Sequence, residues 1–240
     1  MKALSKLIML VIIIANVSTV NAQTEAVQNL NKKQQAIIRI AAVTAKGDLE
    51  KLKIELNSGL DDRLTINQIK ESLVHLYAYC GFPRSIRGLQ TFMVVLEERK
   101  AKGINDVVGT EASTIKEEHS KYERGKVILK ELTGVSQDGP KSGYSAFAPE
   151  MDVFLKEHLF ADIFERDILT YSERELVTVS VLSSIGGVEP MLNSHLKICL
   201  NVGLSPNQLQ EFIGVIKSSV GNEEAIAAQE VLNEVLKSKK

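Results

Sequence analysis

Residues 51–60 read Lys-Leu-Lys-Ile-Glu-Leu-Asn-Ser-Gly-Leu, and residues 195–204 read His-Leu-Lys-Ile-Cys-Leu-Asn-Val-Gly-Leu. Seven of the ten positions are identical. Downstream, Asn67-Gln-Ile-Lys-Glu71 answers Asn207-Gln-Leu-Gln-Glu211 after a four-residue difference in spacing. Upstream, residues 36–43 (AIIRIAAV) share their apolar pattern with residues 175–182 (ELVTVSVL). Matching segments in a conserved order are the mark of an internal repeat, so the chain reads as two tandem units.

Each unit reads as helices. Ile37, Ile40, Ala41 and Thr44, and Leu176, Val179, Ser180 and Ser183, recur at i, i+3, i+4 and i+7. Gly59 and Gly203 stand after asparagines as helix stops. Thr65-Ile-Asn-Gln and Ser205-Pro-Asn-Gln open the next helix, with Pro206 where a first turn tolerates it. Gly81-Phe-Pro83 ends or kinks a helix that starts at Ile66, and Ser85 is placed to cap its successor. Phe147, Phe154, Leu155, Leu159, Phe160, Ile163 and Phe164 supply a further helix. No six-residue stretch alternates strictly, so the expected fold is all-α.

Composition agrees. The 240 residues are 44% hydrophobic and 25% charged, which excludes disorder, and aromatics are only 5% with no Trp. Lys plus Arg is 29 against 30 acids, giving a net charge of −1 and none of the basic excess of a nucleic-acid binder. Two cysteines build neither a disulfide scaffold nor a four-ligand zinc site. The histidines show no His-x-x-x-His spacing, so neither metal nor cofactor is expected.

At the N-terminus, Lys2 and Lys6 precede the apolar run 7–15, and Val20-Asn21-Ala22 resembles a cleavage site. Nine apolar residues are too few to span a bilayer. Residues 1–22 are therefore expected to be a cleaved signal, leaving a periplasmic or secreted protein with no stable membrane insertion. Losing two lysines and no acid takes the formal charge from −1 to −3. The expected organisation is a first unit over 28–100, a polar linker with a helix over 101–145, and a second unit over 146–240.

Two further stretches carry a resemblance. The second half contains Phe147-Ala-Pro-Glu150, Leu159-Phe-Ala-Asp-Ile-Phe-Glu-Arg166, Arg174-Glu-Leu-Val-Thr178 and the His195 stretch; the first contains Glu71-Ser-Leu-Val-His75-Leu-Tyr-Ala-Tyr79-Cys80-Gly81. In this order they resemble the carboxymuconolactone decarboxylase family, whose helical fold is shared with alkylhydroperoxidase D-like proteins. The resemblance implies one of two chemistries on a small-molecule substrate, in a homo-oligomer. One is cofactor-independent decarboxylation of a carboxylated or lactone-like compound. The other is thiol-based peroxide reduction, whose Cys-x-x-Cys pair would fall on Val188 and Met191, neither of which forms a thiolate.

The candidate catalytic residues are His195, His75, Glu71 and Tyr79. Decarboxylation needs a partner for a developing oxyanion and a proton donor at carbon. The two histidines suit those roles, with Glu71 orienting and Tyr79 donating. Cys80 and Cys199 are the candidates for a redox alternative, and a non-catalytic small-molecule binder is the third reading. In the aligned halves Lys51 replaces His195, while Val215, Ser219 and Val220 replace His75, Tyr79 and Cys80. One composite site is thus expected where the halves meet, with its counterpart chemically dead.

Overall fold

Four helices begin with the same local device. Asn31 with Gln34, Thr65 with Gln68, Thr170 with Glu173 and Ser205 with Gln208 form reciprocal capping boxes at the starts of α1 (Lys32–Lys46), α3 (Ile66–His75), α8 (Tyr171–Ile185) and α10 (Pro206–Val220). Each box satisfies backbone N–H groups that the first turn leaves without partners. The computed structural model describes residues 29–116 and 118–238, so the expected signal over 1–22 lies outside the described residues. The remaining helices are α2 (Leu49–Asp61), α4 (Tyr77–Ala101), α5 (Lys121–Thr133), α6 (Tyr144–Phe147), α7 (Pro149–Phe154), α9 (Glu189–Asn201) and α11 (Asn222–Ser238). A π-helical segment, Leu155–Phe164, continues α7. Among the described residues there is no strand, and the all-α expectation holds.

Helices α1 and α8 pack side by side at the centre. In α1 every residue from Ala36 to Ala45 except Arg39 is buried, and in α8 every residue from Arg174 to Ser184 is buried. Helices apolar on nearly all sides belong inside a molecule. Around them α2 lies on α1, α9 on α8, α10 on α1 and α11, and α4 on α2 and α3. The main core runs through Ile37, Ile40, Leu52, Leu56, Leu73, Leu176, Val179, Leu196, Phe212 and Leu232. A second cluster, with Ile128, Leu132, Leu159, Phe160, Ile163 and Phe164, seats α5 on the π segment. Phe147 and Phe154, expected among the apolar groups of that helix, are instead exposed at 93% and 62%.

The structure corrects three local expectations. Gly59 does not stop α2, which continues to Asp61; the left-handed residue is Arg63, at φ 70°. Gly59 serves packing, since a Cβ there would sit 3.0 Å from Ile40 Cδ1 on α1. The helix from Ile66 breaks at Leu76 before the glycine, and the chain kinks again at Gly81, whose φ of 81° suits glycine. Ser85 caps nothing: it is buried, and its hydroxyl donates to the Leu73 carbonyl at 2.7 Å, bridging α4 to α3.

Candidate functional site

Arg174 and Glu175 are adjacent charged residues at the head of the buried stretch of α8, and neither is exposed at all. Charges buried this fully require partners. Arg174 Nη2 donates to Glu71 Oε1 at 2.7 Å and to the Arg166 carbonyl, while its Nη1 donates to His75 Nδ1 at 3.2 Å. Arg166 adds three further bonds to the Glu71 carboxylate, of 3.0 to 3.1 Å. Glu71 is thus held by two guanidiniums, a geometry in which charge-assisted bonds are strong.

This arrangement settles the state of His75. A guanidinium can only donate, so Nδ1 accepts and Nε2 carries the proton. Nε2 then donates to Thr178 Oγ1 at 2.9 Å, and the threonine passes its own hydrogen to the Arg174 carbonyl at 3.1 Å. Burial, followed by the neighbouring Arg174 charge and then His195, drives its pKa well below the usual histidine range. His75 is therefore a neutral, fully hydrogen-bonded link between α3 and α8. Glu71 does not orient it directly, because Arg174 stands between them.

His195 has a different environment. Its side chain is 16% exposed, and Nδ1 lies 2.8 Å from Glu175 Oε2. Nδ1 donates to the carboxylate, leaving Nε2 as the free ring nitrogen; among the described residues it has no hydrogen-bond partner. The second Glu175 oxygen, Oε1, is buried and unpartnered. Tyr79 joins the histidines: its ring lies 5.5 Å from that of His75 and meets His195 edge-on at 5.6 Å. Its hydroxyl is buried near Thr178 without forming a well-aligned hydrogen bond. Burial and then the Glu175 charge push its pKa up, so the phenol stays protonated. The structure thus brings Glu71, His75, Tyr79 and His195 into one region, with Glu71 and His75 buried and the Tyr79 and His195 side chains partly exposed.

The thiols are less favourably placed. Both are free. Burial raises the half-buried Cys80 to about 11, opposed only by Arg84. Cys199, one turn beyond His195 and fully buried, is raised well above the usual thiol range by burial and then by Glu175. A thiolate is the reactive form, and neither site favours it. Among the described residues, no three His, Cys, Asp or Glu side chains are grouped to hold a metal ion.

The carboxylate-paired histidine and the central helix beneath it lie within a single stretch of recognisable sequence. Residues 149–234 match the carboxymuconolactone decarboxylase family. The chain is also similar to a 4-carboxymuconolactone decarboxylase of Acinetobacter baylyi (strain ATCC 33305 / BD413 / ADP1), 26% identical over 121 residues that cover 50% of this chain and 90% of that protein. Arg166, Arg174, Glu175, Thr178, His195 and Cys199 fall inside the family domain, whereas Glu71, His75 and Tyr79 reach it from outside.

Sequence reasoning singled out His195 but not Glu175, and His75 but not Arg174, Arg166 or Thr178. A signal for the first two was present. Arg-Glu heads the apolar run Leu-Val-Thr-Val-Ser-Val-Leu, and two charges on a helix buried all round must each find a partner.

Proposed function

We propose that this protein is a cofactor-independent acid/base catalyst, a carbon–carbon lyase of the decarboxylase type, acting on a small carboxylated or lactone-like substrate. The observation carrying this reading is the Glu175–His195 pair, in which a buried carboxylate orients a partly exposed imidazole. The buried anion fixes the tautomer and the orientation of the ring, as an acid/base catalyst requires. When the substrate carboxylate leaves as carbon dioxide, the bonding electrons remain on the organic fragment as an enolate. His195 Nε2 takes a proton from solvent, delivers it to the carbanionic carbon of the enolate, and returns to the neutral ring with its remaining proton on Nδ1 against Glu175. Tyr79, kept as a neutral phenol, supplies a donor beside the ring. His75 acts behind this layer, holding Arg174 and Thr178 in register.

Acid/base chemistry is favoured over thiol chemistry because Cys80 and Cys199 are both pushed away from the thiolate form. In the same reading the runs α1–α4 and α8–α11 descend from a duplicated unit, and the protein works after export as a homo-oligomer. Self-association is supported by the exposed Phe82, Ile86 and Met93 on α4.

The test is carbon dioxide release from unsaturated lactone acids, 4-carboxymuconolactone included, with deuterium incorporation followed in heavy water. His195→Gln and Glu175→Gln are each expected to lower kcat about 100-fold or more, the usual contribution of a positioned acid/base group. Undiminished turnover in either variant would overturn the assignment. So would activity that disappears in Cys80→Ser or Cys199→Ser while His195→Gln is harmless.

A further inference from the structure

We propose that the counterpart of the His195 site, between α2 and the end of α10, is a binding site for a small organic acid. In the aligned halves this is the position from which the catalytic pattern is missing: Lys51 stands where His195 does and Ser219 where Tyr79 does. The loss of the tyrosine ring leaves room. A cavity of about 590 Å³ opens there, lined by Val43, Lys46, Asp48, Lys51, Lys217 and Ser219 among others. That volume lies within the range of small-molecule sites and exceeds what a bare inorganic anion would fill.

The chemistry of the lining selects the ligand. Three lysines face one aspartate, and Asp48 is already engaged as the cap of α2, accepting from the Lys51 N–H at 3.0 Å. Lys51 Nζ donates to the Ser218 and Ser219 carbonyls at 3.0 and 2.6 Å. It thereby neutralises the negative end of α10 and retains a third N–H. Lys46 is paired with Glu224, at 2.7 Å, whereas Lys217 has no ion-pair partner among the described residues. The independent sign of a ligand is Ser219: it is 5% exposed, lines the cavity, and its hydroxyl is buried without a hydrogen-bond partner. A buried hydroxyl left unsatisfied is unfavourable, and a ligand oxygen would satisfy it. A carboxylate meeting Lys217, Lys51 and Ser219, with its apolar body against Val43 and Val220, uses every one of these features.

Titration calorimetry of the mature full-length chain with benzoate tests the proposal, with benzamide as the neutral isostere and inorganic phosphate as the alternative anion. Saturable benzoate binding is expected, weakening as salt is raised, with little response to benzamide or phosphate. Lys51 also ties α2 to α10, so the informative variants are Lys217→Gln and Ser219→Ala, which leave that tie intact. Each should raise the Kd about tenfold, the loss of one charge-assisted or buried hydrogen bond, while His195→Gln leaves it unchanged. The proposal is overturned by an absence of saturable binding, by equal affinity in both variants, or by benzamide or phosphate binding as well as benzoate. Loss of binding in His195→Gln alone would also overturn it, by placing the acid in the other site.

Discussion

Replacing Glu71 with leucine should be among the most damaging single changes in this protein, and the reason is Arg174 rather than Glu71 itself. The carboxylate accepts four hydrogen bonds, three from Arg166 and one from Arg174. Arg166 has 38% of its side chain exposed and can turn to water when the carboxylate is gone. Arg174 has none exposed and cannot. Breaking a buried pair by removing one partner costs about 3–5 kcal/mol, because the other charge remains buried. A chain of this size melts about 2–4 °C lower per kcal/mol, so the expected loss is roughly 6–20 °C in Tm. Replacing both residues, as Glu71→Leu with Arg174→Met, removes the orphaned charge and should recover most of that loss. The double variant should stay about 1–2 kcal/mol below the parent, since His75 Nδ1 and the Arg166 carbonyl lose their donor. Thermal and urea unfolding followed by circular dichroism, arranged as a double-mutant cycle, reads the coupling directly. A loss below about 1 kcal/mol for Glu71→Leu, or simple additivity of the two changes, would refute the argument that Arg174 depends on this carboxylate.

Three other outcomes are expected. His75 is held neutral in the fold with a pKa lowered from 6.5, so the unfolded chain binds the extra proton. Its contribution to stability is therefore full above about pH 6.5 and falls as the pH drops below that, by up to about 1.4 kcal/mol per pH unit; urea melts at pH 5 and pH 7.5 check this, and His75→Gln should flatten the difference. Gly125 lies on α5 where an added Cβ would come 1.9 Å from the Lys156 carbonyl oxygen, so Gly125→Ala should destabilise by about 1–3 kcal/mol despite a helix-propensity gain of about 1 kcal/mol; a variant that melts higher than the parent would show that the π segment moves aside. Cys80, at about 11, should react slowly with a disulfide reagent at pH 8 and faster as the pH rises, while the fully buried Cys199 reacts only on unfolding; rapid modification of two thiols at neutral pH would contradict the assigned burial.

The helices were legible because their causes are local. A capping box needs only residues three apart, so Thr65–Gln68 and Ser205–Gln208 announce α3 and α10 in the sequence, and the Gly81–Pro83 kink rests on the backbone limits of two residues. Burial of α1 and α8 could be read from their apolar residues. What the sequence could not determine was which buried polar groups meet. His75 was placed on a helix face with Glu71 four residues away, yet the tertiary structure inserts Arg174 of another helix between them, nearly a hundred residues distant in the chain. Glu175 and His195 are twenty residues apart and touch only because α9 folds back on α8. The same holds for the cavity at Ser219, whose lining is drawn from α1, α2 and α10 and which acquires volume only after those helices have packed. Helix formation depends on backbone hydrogen bonds a few residues long, so sequence alone decides it. The pairing of buried charges depends on the angles and offsets between helices, and those are set by the whole core at once.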